Sequence, residues 1–289
     1  MKKSKPSKRL PKKAKSIIDL IQTRTFGYDR ITVWFDHSDP DIPRKKLESL
    51  CLGDVIPKLG SAPFQQHWKS KVTLFQPQPE ALLVLSEWLR NSQYQTRLSE
   101  IEIACDFITK RKKHATQMLA WLLGHLYLRY HRTRVICSHK VIFYFHRRHD
   151  SRGHKTGKVF VLYADKKSKL PGSTYGCRCC HIECRLFDNQ HLEPLGLYTV
   201  DDLIEFDHLA FWTDTVQFAR WSSKADLGRK IYPGTPNVSG AALRQHANNF
   251  IAEYRVEGAF VLQNALLEDR SLLEITEPID TDAVFKGSQ

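Results

Sequence analysis

The chain has 289 residues, of which 44 are Lys or Arg and 31 are Asp or Glu, giving a net charge of +13. That length suffices for a large core in one domain or in two closely packed halves, and the excess of cations favours a polyanionic partner, nucleic acid first. No run reaches the ~18 apolar residues of a membrane-spanning helix, and Ser16 to Ile21 is too short and polar for a signal-peptide core, so a cytoplasmic protein with no membrane partner is expected.

The charge is unevenly spread. The first fifteen residues carry eight Lys or Arg and no acid, the pattern of a disordered basic arm, here given the bounds 1–24. Arg30 to Phe35 alternates as a strand should and Val72 to Phe75 is a second short strand. A helix follows over 79–91, with Leu82, Leu85 and Leu89 at helical spacing. The strand Ile101 to Phe107 places Glu102, Ala104 and Asp106 on one face and Ile101, Ile103, Cys105 and Phe107 on the other. A second helix is predicted over 116–130, then strands at 141–146, 159–165 and 180–187. In the last, His181, Glu183 and Arg185 share a face against Cys180, Ile182, Cys184 and Leu186, and in the middle one Val159, Val161, Tyr163 and Asp165 line up.

Residues 108–158 carry thirteen basic side chains and one acid, Asp150, whereas residues 186–289 carry eight basic and sixteen acidic. The runs Lys110, Arg111, Lys112, Lys113 and Arg147, Arg148, Arg152, Lys155, Lys158 read as phosphate contacts, with Arg185 beside them. Helices are expected over 201–219 and 239–267, separated by a Pro- and Gly-rich linker at 229–238. The pattern implies an α+β fold with two related α+β halves sharing an antiparallel sheet over 25–194, and a mainly helical C-terminal region over 195–289.

The seven cysteines are an odd number, and five of them suit small apolar positions in strands of a protein in a reducing compartment. The crowded run Cys177 to Cys184 lacks the distant second ligand pair of a structural zinc site. His131, His139, His146, His149 and His154 form no His-apolar-His triplet and are read as further phosphate contacts.

Three motifs in order, Glu102-Ile-Ala-Cys-Asp106, Leu162-Tyr-Ala-Asp-Lys166 and His181-Ile-Glu183-Cys-Arg-Leu186, resemble those of the replication initiation factor family, the rolling-circle initiators of filamentous phages and small plasmids. The similarity spans roughly residues 70–190. The chain departs from the family pattern at Ala164, inserted before Asp165-Lys166, and at His181, where the family carries arginine. The resemblance implies that Asp106 and Glu183 bind a divalent metal, Mg2+ or Mn2+, and that Tyr163 attacks the DNA backbone. Glu102 and His181 are candidate further ligands, Lys166 accompanies the tyrosine, and Tyr144 and Tyr175 are rival nucleophiles.

An aryl phosphodiester can be attacked in turn by a 3′ hydroxyl, so a tyrosine cuts reversibly, and a hard cation held by oxygen ligands neutralises the developing charge. The expected function is therefore a DNA-binding replication initiation protein of a mobile element that nicks one strand at an origin. Double-stranded origin DNA and single-stranded DNA are its expected partners, together with a host helicase and a second copy of the chain. The alternatives are a non-catalytic DNA-binding regulator of copy number or transcription, and a metal-free RNA-binding module.

Overall fold

The computed structural model describes residues 17–59, 67–129, 132–145, 157–234 and 238–286. In chain order these form β1 (Ile21–Phe35), α1 (Arg44–Leu50), β2 (Val55–Leu59), β3 (Ser70–Phe75), α2 (Pro79–Arg90), β4 (Thr96–Thr109), α3 (Lys112–His125), β5 (Leu126–Tyr127), β6 (Ile136–Ser138), β7 (Ile142–Tyr144), β8 (Gly157–Tyr163) and β9 (Cys179–Phe187). Then follow α4 (Asn189–Leu192), α5 (Val200–Ile204), α6 (His208–Thr215), β10 (Gln217–Trp221), α7 (Lys224–Ile231), α8 (Gly240–Glu253), β11 (Arg255–Val256), β12 (Ala259–Phe260), α9 (Leu262–Glu268), β13 (Thr276–Ile279) and α10 (Thr281–Lys286). The fold is α+β.

Among the described residues one sheet dominates, eight strands in the order β2-β3-β1-β4-β9-β8-β7-β6, antiparallel at every pairing. Residues 21–109 supply β2-β3-β1-β4 and residues 136–187 supply β9-β8-β7-β6. They join where β4 runs against β9 in unbroken register from Glu100 opposite Phe187 to Ile108 opposite Cys179.

Alternation decides what each face carries. Ile101, Ile103, Cys105 and Phe107 of β4, Cys180, Ile182, Cys184 and Leu186 of β9, and Phe160 and Leu162 of β8 all enter the main core. Leu82 and Leu85 of α2 and Met118, Leu122 and Leu123 of α3 cover them. Proline opens α2, where its missing N–H costs nothing and its fixed φ suits the first turn.

The C-terminal region completes this core rather than standing apart. The rings of Phe107 and Phe285 lie 5.6 Å apart, and Trp212 stacks on Phe285 at 5.8 Å. Here the structure departs from the predicted long helices. Residues 217–219 leave the expected 201–219 helix and open β10, which pairs with β5 and β13, and the expected 239–267 helix is broken by the β11–β12 hairpin. Glu257 and Gly258, both with positive φ, make that turn.

The expected 116–130 helix begins earlier, at Lys112, and stops at His125 because Leu126 and Tyr127 are extended in β5. The larger surprise is β1. It runs for fifteen residues, not the six of Arg30–Phe35, and contains a bulge between Tyr28 and Arg30.

Candidate active site

The face of the sheet opposite the helices carries the acidic and basic side chains. Register stacks them in two rows: Thr25, Asp106, His181 and Tyr163 in one, Arg30, Glu102, Arg185 and Val159 in the other, with Gly27, Ala104, Glu183 and Val161 between. Each row crosses β1, β4, β9 and β8 in that order.

His181 is the hub. Its Nδ1 lies 2.7 Å from Asp106 Oδ1 and its Nε2 3.1 Å from Glu183 Oε2. Arg185 Nε donates to Glu183 Oε1 at 2.6 Å and sits 3.2 Å from Glu102 Oε1. Arg30 lies 3.3 Å from that same Glu102 oxygen and donates to Glu100 at 2.6 Å. Asp106 and Glu183 are 0% exposed, Glu102 1% and His181 3%.

Charges so deep are tolerated only in company. Burial opposes a proton on His181, yet Asp106 and Glu183 together pull its pKa well above the ordinary value. Burial also opposes ionisation of Glu183, but the hydrogen bond from His181 and the Arg185 charge hold its pKa at about 2. Glu102 goes the other way, pushed up to about 8 by burial and then by Glu183, against Arg185 and Arg30. Both guanidinium groups are at ion-pair distance from Glu102 Oε1, but neither meets hydrogen-bonding geometry there, which leaves that atom without a hydrogen-bond partner.

The sequence did not single out Asp29. A bulge sets two residues of one strand against one of its partner and re-aims a side chain, and the slip here turns Asp29 toward the cluster beside Arg30. Asp29, His181 and Glu183 each offer a ligand atom, and these all lie within 4.8 Å of one another. Glu183 stands in register with Ala104 and Gly27, which have almost no side chain, and this leaves room on that face for the Asp29 carboxylate. Gln76 fixes Asp29 from behind, its Nε2 donating to Oδ1 at 2.7 Å. It does so from a left-handed backbone with φ of 44°, a strain that non-glycine residues rarely bear.

The signal for the bulge is present in the sequence. Phe26 and Tyr28 are apolar on even positions, Ile31, Val33 and Phe35 on odd ones, and that change of phase is what an extra residue produces.

Donor chemistry suits a divalent cation. Two carboxylates and an imidazole converge, and the second ring nitrogen of His181 is held by Asp106, the carboxylate–histidine arrangement that orients metal-ligating imidazoles. Asp106 thus stands behind His181, outside the group Asp29–His181–Glu183, although its Oδ2 is buried without a hydrogen-bond partner. Glu102 is separated from that group by its guanidinium neighbours. Among the described residues no cysteine joins such a group. Cys105, Cys180 and Cys184 are buried on the helix-covered face, as apolar residues are.

Tyr163 ends β8 beside this cluster. Its ring stacks on His181 with centroids 4.5 Å apart, and Lys166 Nζ lies 5.4 Å from its centroid. At 8% exposure its phenol pKa is raised, by burial first and then by Glu183, Asp29 and Asp106. Tyr144 is buried in the same apolar patch of β7, β8 and β9, while Tyr175 is exposed on the connection after β8. That connection roofs the cluster: Leu170 is buried over Gly27, and Thr174 hydrogen-bonds Thr25 at 2.7 Å.

The predicted phosphate contacts fall in different places. Lys110, Arg111, Lys112 and Lys113 are exposed at the end of the sheet where Tyr163 lies. The Thr109 N–H to Arg178 carbonyl bond and the Lys167–Arg178 bridge bring exposed Lys166, Lys167 and Arg178 to the same rim, and sequence reading had not singled out Lys167 or Arg178. Lys158 points to the helix-covered face, its ammonium 5.2 Å from the Phe160 ring and 5.4 Å from Phe211. Arg185 is consumed by Glu183 and Glu102 inside the cluster. Arg147, Arg148, Arg152 and Lys155 lie outside the described residues, as do His131, His146, His149 and His154.

No family model matches the chain, and no curated protein does. Among solved structures, the rolling circle replication initiator protein from Geobacillus stearothermophilus is similar over 83% of this chain and 100% of its own, at 11% identity and a TM-score of 0.38. Likeness at that level leaves the reading of the site to its own geometry.

Proposed function

We propose that this chain is a DNA-binding replication initiation protein of a mobile element, which nicks one DNA strand at an origin with Tyr163 as nucleophile and a divalent cation, Mg2+ or Mn2+, as cofactor. The observation that carries the reading is a tyrosine stacked on the histidine of a three-donor cluster, beside an exposed basic rim.

Asp29, Glu183 and His181 would hold the ion, and its chemistry there is to polarise the scissile phosphate and neutralise developing charge. Every other task falls to the chain. Asp106 keeps His181 in one orientation, Gln76 does the same for Asp29, and the rim of Lys110, Arg111, Lys166, Lys167 and Arg178 holds the phosphates on either side. In the step itself the Tyr163 oxygen forms a bond to phosphorus, the bond from phosphorus to the 3′ oxygen breaks, the phenol proton passes to solvent and the 3′ oxygen takes one up. The product is a 5′-phosphotyrosine that the freed 3′ hydroxyl can reverse.

One feature of the cluster favours a second reading, a DNA-binding regulator that does not cut. Each nitrogen of His181 already has a carboxylate partner, and Tyr163 is nearly enclosed. Supercoiled origin DNA incubated with the protein and Mn2+ separates the two. Nicking, with a protein–DNA adduct mapped to Tyr163 by peptide sequencing, supports the enzyme, and DNA binding with no nicking in any divalent cation supports the regulator.

A further inference from the structure

The sheet face that bears the cluster continues past it onto β1, β3 and β2, and there its side chains are of another kind. Arg30, Thr32 and Trp34 of β1 stand opposite Phe75, Thr73 and Lys71 of β3, and Ile56 and Lys58 of β2 extend the same surface. The Thr32 and Thr73 hydroxyls are 3.1 Å apart, as same-face neighbours should be. The residues facing the other way, Ile31, Val33, Val72 and Leu74, are core. Trp34 and Phe75 are only half-buried, and Ile56 shares that partial exposure.

Two aromatic rings left open on a sheet, each with a cation beside it, have a chemical meaning. Arg30 lies 5.1 Å from the Phe75 ring centre and Lys71 5.1 Å from that of Trp34. A ring offers a base a flat apolar face, and a neighbouring cation offers its phosphate a counter-charge. That combination takes splayed-out bases irrespective of sequence. A duplex keeps its bases stacked inside and presents only phosphates to such a surface. Arg30 is engaged by Glu100 and Glu102, and Lys71 and Lys58 on the same face give the patch its positive charge.

We propose that Trp34 and Phe75, with Lys71, Lys58 and Arg30, form a stacking platform for single-stranded DNA. The choice of DNA rests on the function proposed above. Position ties the platform to the site. Phe75, Arg30, Glu102 and Arg185 occupy one row across four neighbouring strands; the row meets β8 at Val159, and Tyr163 lies four residues further along that strand on the same face. At ~4.8 Å per strand and ~3.3 Å per residue, the Phe75 and Tyr163 rings are about 19 Å apart across the sheet and about 13 Å along it, a gap several nucleotides span.

The test uses the full chain, without divalent cation, and a fluorescent oligonucleotide in single-stranded and duplex form. Trp34→Leu and Phe75→Leu retain an apolar side chain and remove the ring. Each is expected to weaken single-strand binding about fivefold or more and duplex binding by less than twofold, with melting temperature close to that of the parent. Equal single-strand affinity in both variants would overturn the platform, as would tighter binding of an RNA of the same sequence or displacement by heparin that is indifferent to both substitutions. Because no metal or cleavage enters this measurement, a protein that fails to nick yet shows the ring-dependent binding refutes only the function proposed above. One that nicks without ring-dependent binding refutes only the platform.

Discussion

The Tyr163 ring is stacked on the His181 imidazole, centroids 4.5 Å apart and planes 26° from parallel. The phenol oxygen is thereby held at the edge of a carboxylate cluster that keeps it protonated, since burial, Glu183, Asp29 and Asp106 all raise its pKa. A cation held by Asp29, His181 and Glu183 would offset the electrostatic part of that penalty. Tyr163→Phe preserves the stack and deletes only the oxygen. It is expected to abolish nicking, to leave DNA affinity within about twofold, and to change stability by about 1 kcal/mol or less. A variant that nicks normally would transfer the nucleophile to another tyrosine.

Cation uptake should expel a proton. In the metal-free protein His181 holds its proton far above its usual range, because Asp106 and Glu183 outweigh the effect of burial. A metal needs the neutral ring. Apparent Mn2+ affinity is therefore expected to rise with pH, by up to about tenfold per unit while His181 remains protonated. Titration calorimetry in two buffers of different ionisation enthalpy reads the proton directly. Asp106→Asn keeps a partner for the ring and is expected to cost about 10- to 100-fold in Mn2+ affinity; no loss would show that His181 is not a ligand.

Glu102 gives a stability signature of opposite sense to that of Glu183. Its folded pKa of about 8 lies above that of an ordinary carboxyl, so between those values the folded chain binds the extra proton. Stability from this group is complete at low pH and is lost as pH rises through about 8. Glu183, held at about 2, contributes stability that is present above the ordinary carboxyl range and lost as pH falls toward 2. Glu102→Gln removes the first dependence. The variant's advantage over the parent in denaturant melts is expected to widen from pH 6 to pH 9, and a constant difference would mean that Arg30 and Arg185 keep Glu102 ionised throughout.

Much of this arrangement is legible from period alone. Glu102, Asp106, His181, Glu183 and Arg185 fall on one face because a strand has period two, and antiparallel pairing of β4 with β9 then sets Asp106 beside His181. Asp29 escapes because a bulge breaks that period, and because the charged pair Asp29-Arg30 interrupts the apolar run by which a strand is recognised. The inward role of Arg185 is equally hidden: nothing in the sequence says that two glutamates converge on it. Leu126 and Tyr127, and residues 217–219, carry a helical pattern yet owe their extended form to pairing across the chain, a tertiary cause that overrides local propensity.

Ala104 is fully buried on the strand between those of Asp29 and Glu183, with Gly27 on β1 and Glu183 on β9 as its partners. The space above its methyl group is what lets carboxylates from strands two apart meet around His181. Ala104→Leu fills that space without touching any ligand. Overpacking of this kind is expected to cost about 1–3 kcal/mol, small enough for the sheet to fold, and to separate Asp29 from Glu183. Mn2+ affinity should fall by at least the loss seen for Asp29→Asn, and Asp29→Asn should then add little in the Ala104→Leu background, because the two substitutions remove the same interaction. Full additivity of the two losses, measured by calorimetry at one pH, would mean that Asp29 and Glu183 do not share an ion.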